Sequence, residues 1–188
     1  EVPGDKSISH RAVIISSLTK QKVIIDNFLL SQDCIRTLDI IEKLGVKYIL
    51  KNTCLSIHGC GIESFQEPDD ILYVGNSGTS IRLLAGILST CDFLSVLSGD
   101  ASINNRPMDR IINPLREMGA AIFGRACNNK APLVIFGNRQ LKGKVFMSDI
   151  SSAQVKSCLL FAGLFAEGIT EVRQPSISRD HTERMLEY

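Results

Sequence analysis

Three stretches of this chain open alike, with a short polar loop running straight into an unusually apolar helical segment, and they recur at nearly constant spacing. The loops are Asp5-Lys6-Ser7, Asn76-Ser77-Gly78-Thr79 and Ser151-Ser152-Ala153-Gln154. Arg11 and Arg82 stand 71 residues apart and Arg82 and Lys156 stand 74 apart, so each copy sets a cation four residues after Ser7, Gly78 or Ser152. That is about one helical turn. The segments that follow, Ala12 to Leu18, Leu83 to Leu88 and Leu159 to Ala166, are apolar on nearly every side. Such helices belong at a shared centre rather than on a surface.

A second, amphipathic helix follows in each copy. Ile35, Leu38, Ile41 and Leu44 mark the first, and Met108, Ile111, Ile112, Leu115 and Met118 the second. Gly45 and Gly119 end them, 74 residues apart. In the third copy Arg179-Asp180-His181-Thr182 begins the matching helix, and the chain stops before any glycine. Between the helices lie β-rich runs: Lys22 to Asp26, Val46 to Leu50, Leu55 to His58, Phe93 to Leu97, Leu133 to Phe136, Val145 to Met147 and Ile169 to Val172. The period exceeds that of solenoids, so three βαβ-type units close about a pseudo-threefold axis in one α/β domain. The repeats are expected at about residues 1–69, 70–143 and 144–188, the third truncated. Glu1 is not a start methionine and Thr182 to Tyr188 break off inside a helical pattern, so both ends read as cut.

Composition narrows the partners. Lys+Arg (21) nearly balance Asp+Glu (20), and 44% of residues are hydrophobic, so no net basic charge draws the chain to nucleic acid or anionic lipid. The longest apolar stretch, Ser157 to Ala166, is too short to span a bilayer, and a soluble, cytoplasmic protein is expected. The six cysteines fall singly, without C-x-x-C pairs, as buried thiols of a reducing compartment. In CLSIHGC, Cys54, His58 and Cys60 share one face of a strand with no further ligand group, which reads as a half-buried strand and not a metal site.

Helix N-termini carry free N–H groups and the positive end of the dipole, so three of them meeting at one face make a pocket for anions. Lys6 can set an ammonium over an anion, Ser7 can cap the helix or donate its hydroxyl, and Arg11 adds a two-pronged donor one turn on. Gly78 lets the backbone approach a ligand closely, and Thr79 offers a hydroxyl. Ser152 and Gln154 suit hydroxyl and carboxylate recognition. Each has a plainer reading beside it. Ser7, Thr79 and Ser152 can be N-caps alone, and Arg82 and Lys156 read as struts between loops. Arg106-Pro107 begins the second amphipathic helix, where proline suits the first position. His10 and His181 read as packed side chains. Gly59-x-Gly61 lacks the third glycine of a dinucleotide loop, and neither a Walker motif nor G-x-S-x-G is present.

Five strings carry a resemblance: PGDKSISHRAVIISSL (Pro3 to Leu18), GNSGTSIRLLAGIL (Gly75 to Leu88), GDASINNRPMDRIINPL (Gly99 to Leu115), ISSAQVKSCLLFAGL (Ile150 to Leu164) and SRDHTERML (Ser178 to Leu186). In this order they resemble the successive signatures of the 5-enolpyruvylshikimate-3-phosphate synthases, members of the enolpyruvyl transferases. The resemblance implies a fold of three βαβαββ units, one half of an inverted α/β barrel whose second domain is absent here. It implies transfer of the enolpyruvyl group of phosphoenolpyruvate to the 5-hydroxyl of shikimate 3-phosphate, without metal or organic cofactor, by a protein that is a monomer at full length. By the same resemblance Lys6 contacts both substrates and takes part in catalysis, while Ser7 and Arg11 hold shikimate 3-phosphate. Gly78, Thr79 and Arg106 serve phosphoenolpyruvate, and Asn76 is a further substrate-binding residue. Ser152, Ala153 and Gln154 line the shikimate 3-phosphate site, with Gln154 also near phosphoenolpyruvate, and Arg179 reaches the shikimate phosphate. The acid–base carboxylates come from the absent domain.

The Ser-Ala-Gln-x-Lys and Arg-Asp-His-Thr strings resemble the branch of the family less sensitive to glyphosate. Two rivals stand. The sister enzyme that uses UDP-N-acetylglucosamine shares the architecture, but Gly99 to Asn105 lack a cysteine and Lys6-Ser7 stands where that enzyme has Lys-Asn. A non-catalytic small-anion binding module is the other.

Overall fold

The structure, a computed structural model, describes residues 3–187; Glu1, Val2 and Tyr188 lie outside, so the two end residues of the expected cut do too. Three helices form the centre: α1 (Lys6–Leu18), α3 (Gly78–Leu88) and α6 (Ala153–Gly163). A set of more amphipathic helices packs beside them: α2 (Gln32–Lys43), α4 (Asp109–Glu117) and α7 (His181–Glu187), with a one-turn segment α5 (Arg125–Asn128) in between. The strands are β1 (Lys22–Ile25), β2 (Lys47–Lys51), β3 (Cys54–His58), β4 (Leu72–Tyr73), β5 (Leu94–Ser98), β6 (Ala121–Gly124), β7 (Lys130–Phe136), β8 (Val145–Met147) and β9 (Glu171–Arg173).

The sheets follow the repeat. In the first, β3 lies between β1 and β2, antiparallel to both, with Ile57 opposite Val23 and Tyr48. In the second, β7 lies between β5 and β6 in the same sense, with Ile135 opposite Ser95 and Ile122. There β4 adds a parallel strand outside β5, and the parallel pair β8 and β9 reproduces that corner in the third copy. The second copy therefore reads β4-α3-β5-α4-β6-β7, a complete βαβαββ unit. Strand burial alternates, so Leu55 and Ile57, or Leu133 and Ile135, face the helices while Ile24, Ile49 and Phe136 face outward.

Residues one repeat apart can touch only near the axis that relates the repeats. Here a Cβ built on Gly86 of α3 would lie 2.2 Å from the carbonyl oxygen of Cys158 on α6, so the two central helices cross backbone to backbone. Leu83, Leu84, Ile87 and Phe161 are among the fully or almost fully buried side chains around that crossing.

Several local expectations change. The caps of α1 and α3 are Asp5 and Ser77, which accept from the Ile8 and Ser80 amides at 2.8 and 3.0 Å, so Ser7 and Thr79 are not caps; only Ser152 is, for α6. α4 starts at Asp109 after Met108, so Arg106-Pro107 precede the helix and Pro107 is not its first residue. Gly45 and Gly119 do end α2 and α4 in left-handed conformations, φ 90° and 100°. Cys34, Cys91 and Cys158 are buried, but Cys54 and Cys127 are exposed. β3 ends at His58, so Cys60 leaves the face that Cys54 and His58 share. Among the described residues no three His, Cys, Asp or Glu side chains stand close enough to hold a metal ion, and no helix is long and apolar enough to cross a membrane.

Candidate functional site

Each central helix brings its N-terminus to the site, and three polar junctions fix how the starts meet. Between α1 and α3 the junction is His10, fully buried, whose Nδ1 lies 2.8 Å from Thr37 Oγ1 on α2 and 3.4 Å from Ser80 Oγ on α3. Ser80 in turn donates to Ser77, the cap of α3, at 2.7 Å. Burial, above all, lowers His10 to about 4, so it is neutral there.

Between α1 and α6 the junction is Arg11. Its guanidinium donates from Nε to Thr182 Oγ1 at 2.7 Å, from one terminal nitrogen to Ser157 Oγ at 2.9 Å, and from the other to the Ser7 carbonyl at 3.0 Å. At 3% exposure it lies beneath the loop it was expected to arm, tying that loop to α6 and α7. Burial lowers its pKa, and the charge of Arg179 works in the same direction; a guanidinium stays charged regardless.

Between α3 and α6 the junction is Arg82, which donates to the carbonyls of Gly78 and Pro107 and to Gln154 Oε1 at 3.1, 3.0 and 3.1 Å. The Gln154 amide nitrogen then donates to Thr79 Oγ1 at 3.0 Å. Arg82 is thus a strut, as expected, and burial followed by the charge of Arg106 lowers its pKa. Lys156 pairs with Glu183 on α7 in the corresponding place.

The remaining cations rim these starts. Lys6, half exposed, meets Asp33 of α2 at 2.6 Å. Arg179 reaches Ser7 Oγ at 3.4 Å. Arg106 donates to Asn76 Oδ1 at 2.5 Å, and the Asn76 amide nitrogen donates to Asp100 Oδ2 at 2.8 Å. Gly78, the first residue of α3, sits between two guanidinium groups: a Cβ there would lie 2.8 Å from a terminal nitrogen of Arg106 and 2.9 Å from one of Arg82. The absent side chain leaves room where two cations and a helix N-terminus converge.

Lys6, Ser7 and Arg179 therefore form one side of the site, linked through Ser7. Asn76, Gly78, Thr79, Arg106 and Gln154 form the other. Ser152 and Ala153 join the two through the start of α6, since Ser157 Oγ donates to the Ala153 carbonyl at 2.6 Å. The sequence reading left out Asp33, Thr37, Ser80, Asp100, Ser157 and Thr182. Spacing held a signal for two of them: Lys6 to Asp33 and His10 to Thr37 are both 27 residues, the register of α1 against α2.

The chain as a whole is similar to known proteins. A family model described as EPSP synthase (3-phosphoshikimate 1-carboxyvinyltransferase) matches residues 1–188. A 3-phosphoshikimate 1-carboxyvinyltransferase of Desulfitobacterium hafniense is 52% identical over 186 residues, 99% of this chain and 42% of that protein. One of Bacillus pumilus is 50% identical over 185 residues, 98% of this chain and 43% of that protein. The solved structure of an EPSP synthase from Acinetobacter baumannii superposes with a TM-score of 0.96 at 46% identity, over 99% of this chain and 42% of that one. The chain thus spans well under half the length of these relatives. Matched along its whole length in sequence and in fold, it belongs to the EPSP synthase family.

Proposed function

We propose that the protein carrying this chain transfers the enolpyruvyl group of phosphoenolpyruvate to the 5-hydroxyl of shikimate 3-phosphate, releasing phosphate, and that this chain is its anion cradle. The observation that carries the proposal is the place of Gly78, with the Arg82 and Arg106 guanidinium groups within 3 Å of where its side chain would begin. Two substrates bearing phosphate and carboxylate groups need two anion subsites side by side. Gly78, Thr79, Asn76 and Arg106 supply one for phosphoenolpyruvate; Ser7, Arg11, Arg179, Ser152 and Ala153 supply one for shikimate 3-phosphate, and Gln154, bonded to Thr79 and Arg82, stands where the two adjoin. Arg11 contributes from beneath, by holding the Ser7 loop.

Lys6 stands at the head of α1 and is the catalytic residue of this half. In the resting arrangement Asp33 holds its ammonium, and turned to the substrates the ammonium stabilises charge that develops as phosphate leaves. The reaction also needs a proton delivered to the methylene carbon of phosphoenolpyruvate and one taken from the attacking hydroxyl. Those acid–base groups fall to the part of the protein outside this chain, so the isolated chain is inactive. The full-length protein works as a cytoplasmic monomer, without metal or organic cofactor, nucleic acid or membrane.

The test is phosphate release by the full-length protein from phosphoenolpyruvate with shikimate 3-phosphate, against UDP-N-acetylglucosamine as the alternative acceptor. Turnover with the former alone is expected, and loss of at least about a hundredfold in Lys6→Met. Turnover with the nucleotide sugar, or with neither acceptor, overturns the proposal.

A further inference from the structure

We infer that Asp100 is a positioning residue for the phosphoenolpyruvate subsite: its carboxylate fixes the Asn76 amide in the one orientation that offers an acceptor to Arg106. The inference rests on the function proposed above. A side-chain amide has a donor end and an acceptor end of nearly the same shape, and only its partners decide which way it points. An ionised carboxylate accepts and cannot donate, so Asp100 Oδ2 at 2.8 Å draws the Asn76 nitrogen toward itself. The amide oxygen is then turned to the terminal nitrogen of Arg106, 2.5 Å away. With that nitrogen anchored, the other terminal nitrogen of Arg106 is the one beside Gly78.

Asp100 is itself held. Its Oδ1 accepts from the Ile103 amide at 2.8 Å, and its own backbone N–H donates to the Gly75 carbonyl at 2.9 Å. The loop before Arg106 and the loop before α3 are thus tied at the residue adjoining Asn76. The Ile103 amide, foremost, and the Asn76 amide hold the carboxyl below the usual carboxylate range, which keeps it an acceptor at neutral pH. Among the described residues no other carboxylate meets Asn76.

Asp100→Asn separates positioning from scaffolding. It keeps the oxygen that accepts from Ile103 and replaces the one facing Asn76 with a donor, so two NH2 groups would oppose each other. The Asn76 amide is expected to turn over, presenting a donor to a cation. In the full-length protein the KM for phosphoenolpyruvate should rise about tenfold, with kcat and the KM for shikimate 3-phosphate within about twofold. Asp100→Ser, whose hydroxyl caps Ile103 but ends short of Asn76, should do the same. In an Asn76→Ala background the effect of Asp100→Asn should shrink to under about twofold, because the residue through which it acts is gone. A substrate-free readout runs alongside. The side-chain amide signal of Asn76 in 15N-labelled protein should lose its exchange protection in Asp100→Asn.

Equal effects in both backgrounds, or both KM values rising together, would overturn the inference while leaving the proposed reaction standing. A wild-type protein that transfers no enolpyruvyl group would overturn the reaction instead, and the Asn76 amide signal would still decide whether Asp100 orients it.

Discussion

Arg11 on α1 and Thr182 on α7 stand 171 residues apart in sequence and meet through a 2.7 Å hydrogen bond from Nε to Oγ1, with both residues buried. The contact lies in a directed chain. Thr182 and Ser157 are 2.6 Å apart, Ser157 donates to the Ala153 carbonyl, and Arg11 donates to both hydroxyls. Thr182→Val keeps the shape and removes the acceptor, leaving a buried charged donor unpaired. A loss of about 1–3 kcal/mol in unfolding free energy is expected, with Thr182→Ser losing much less. Urea titration of the three proteins decides it, and equal stability of the valine and serine variants would show that the hydroxyl contributes nothing.

His10 makes stability depend on pH. Burial dominates its lowered pKa; Asp33 and Asp5 oppose the shift, while Lys6 and Arg11 reinforce it. The folded value, about 4, lies below the ordinary 6.5, so as pH falls through that window the unfolded chain takes up the proton first. The contribution is complete above pH 6.5 and lost by pH 4, a total of about 3 kcal/mol. His10→Asn has no proton to gain, so its unfolding free energy should fall less steeply than wild type between about pH 6.5 and pH 4.5. Parallel slopes in chemical denaturation would exclude His10 as the source.

The repeat was legible because it is written in local signals: polar loop, apolar helix, amphipathic helix, glycine. It even foretold which helices would be central. Two strands escaped. β4, Leu72–Tyr73, is two residues long and exists by pairing with β5, while Ala121–Gly124 is a strand only because β7 lies beside it. The caps went astray because Ser7 and Thr79 stand two residues after Asp5 and Ser77, and only the backbone decides which side chain folds back. The inward turn of Arg11 was illegible in its own motif. Its partners Ser157 and Thr182 lie in the third copy, and nothing around Arg11 names them.

Gly86 tests the crossing of α3 and α6. Alanine at a helix interior normally gains about 1 kcal/mol over glycine. Here its Cβ would lie 2.2 Å from the Cys158 carbonyl oxygen and 3.0 Å from the carbonyl carbon, both main-chain atoms that cannot swing aside. The steric term wins, and Gly86→Ala should lower stability by about 1–3 kcal/mol or more as the helices are forced apart. A melting temperature at or above that of wild type would mean the helices do not cross so closely.

Gly78→Ala meets flexible neighbours instead. The added methyl would stand 2.8 Å and 2.9 Å from terminal nitrogens of Arg106 and Arg82, the far ends of long side chains, with the nearest carbon, Ile103 Cδ1, at 3.7 Å. Arg106 can swing away, while Arg82 must loosen its bonds to Gly78, Pro107 and Gln154, so unfolding free energy should fall by about 1 kcal/mol. Moving them takes donors from the space at the head of α3 and fills part of it with a methyl. On the function proposed above, the subsite assigned to phosphoenolpyruvate should therefore suffer most in the full-length protein, its KM rising about tenfold, while the KM for shikimate 3-phosphate stays within about twofold. Initial rates with each substrate varied in turn distinguish the outcomes. If shikimate 3-phosphate weakens equally, the two anions do not occupy separate halves of the cradle, and the division between the Gly78 side and the Ser7 side is wrong.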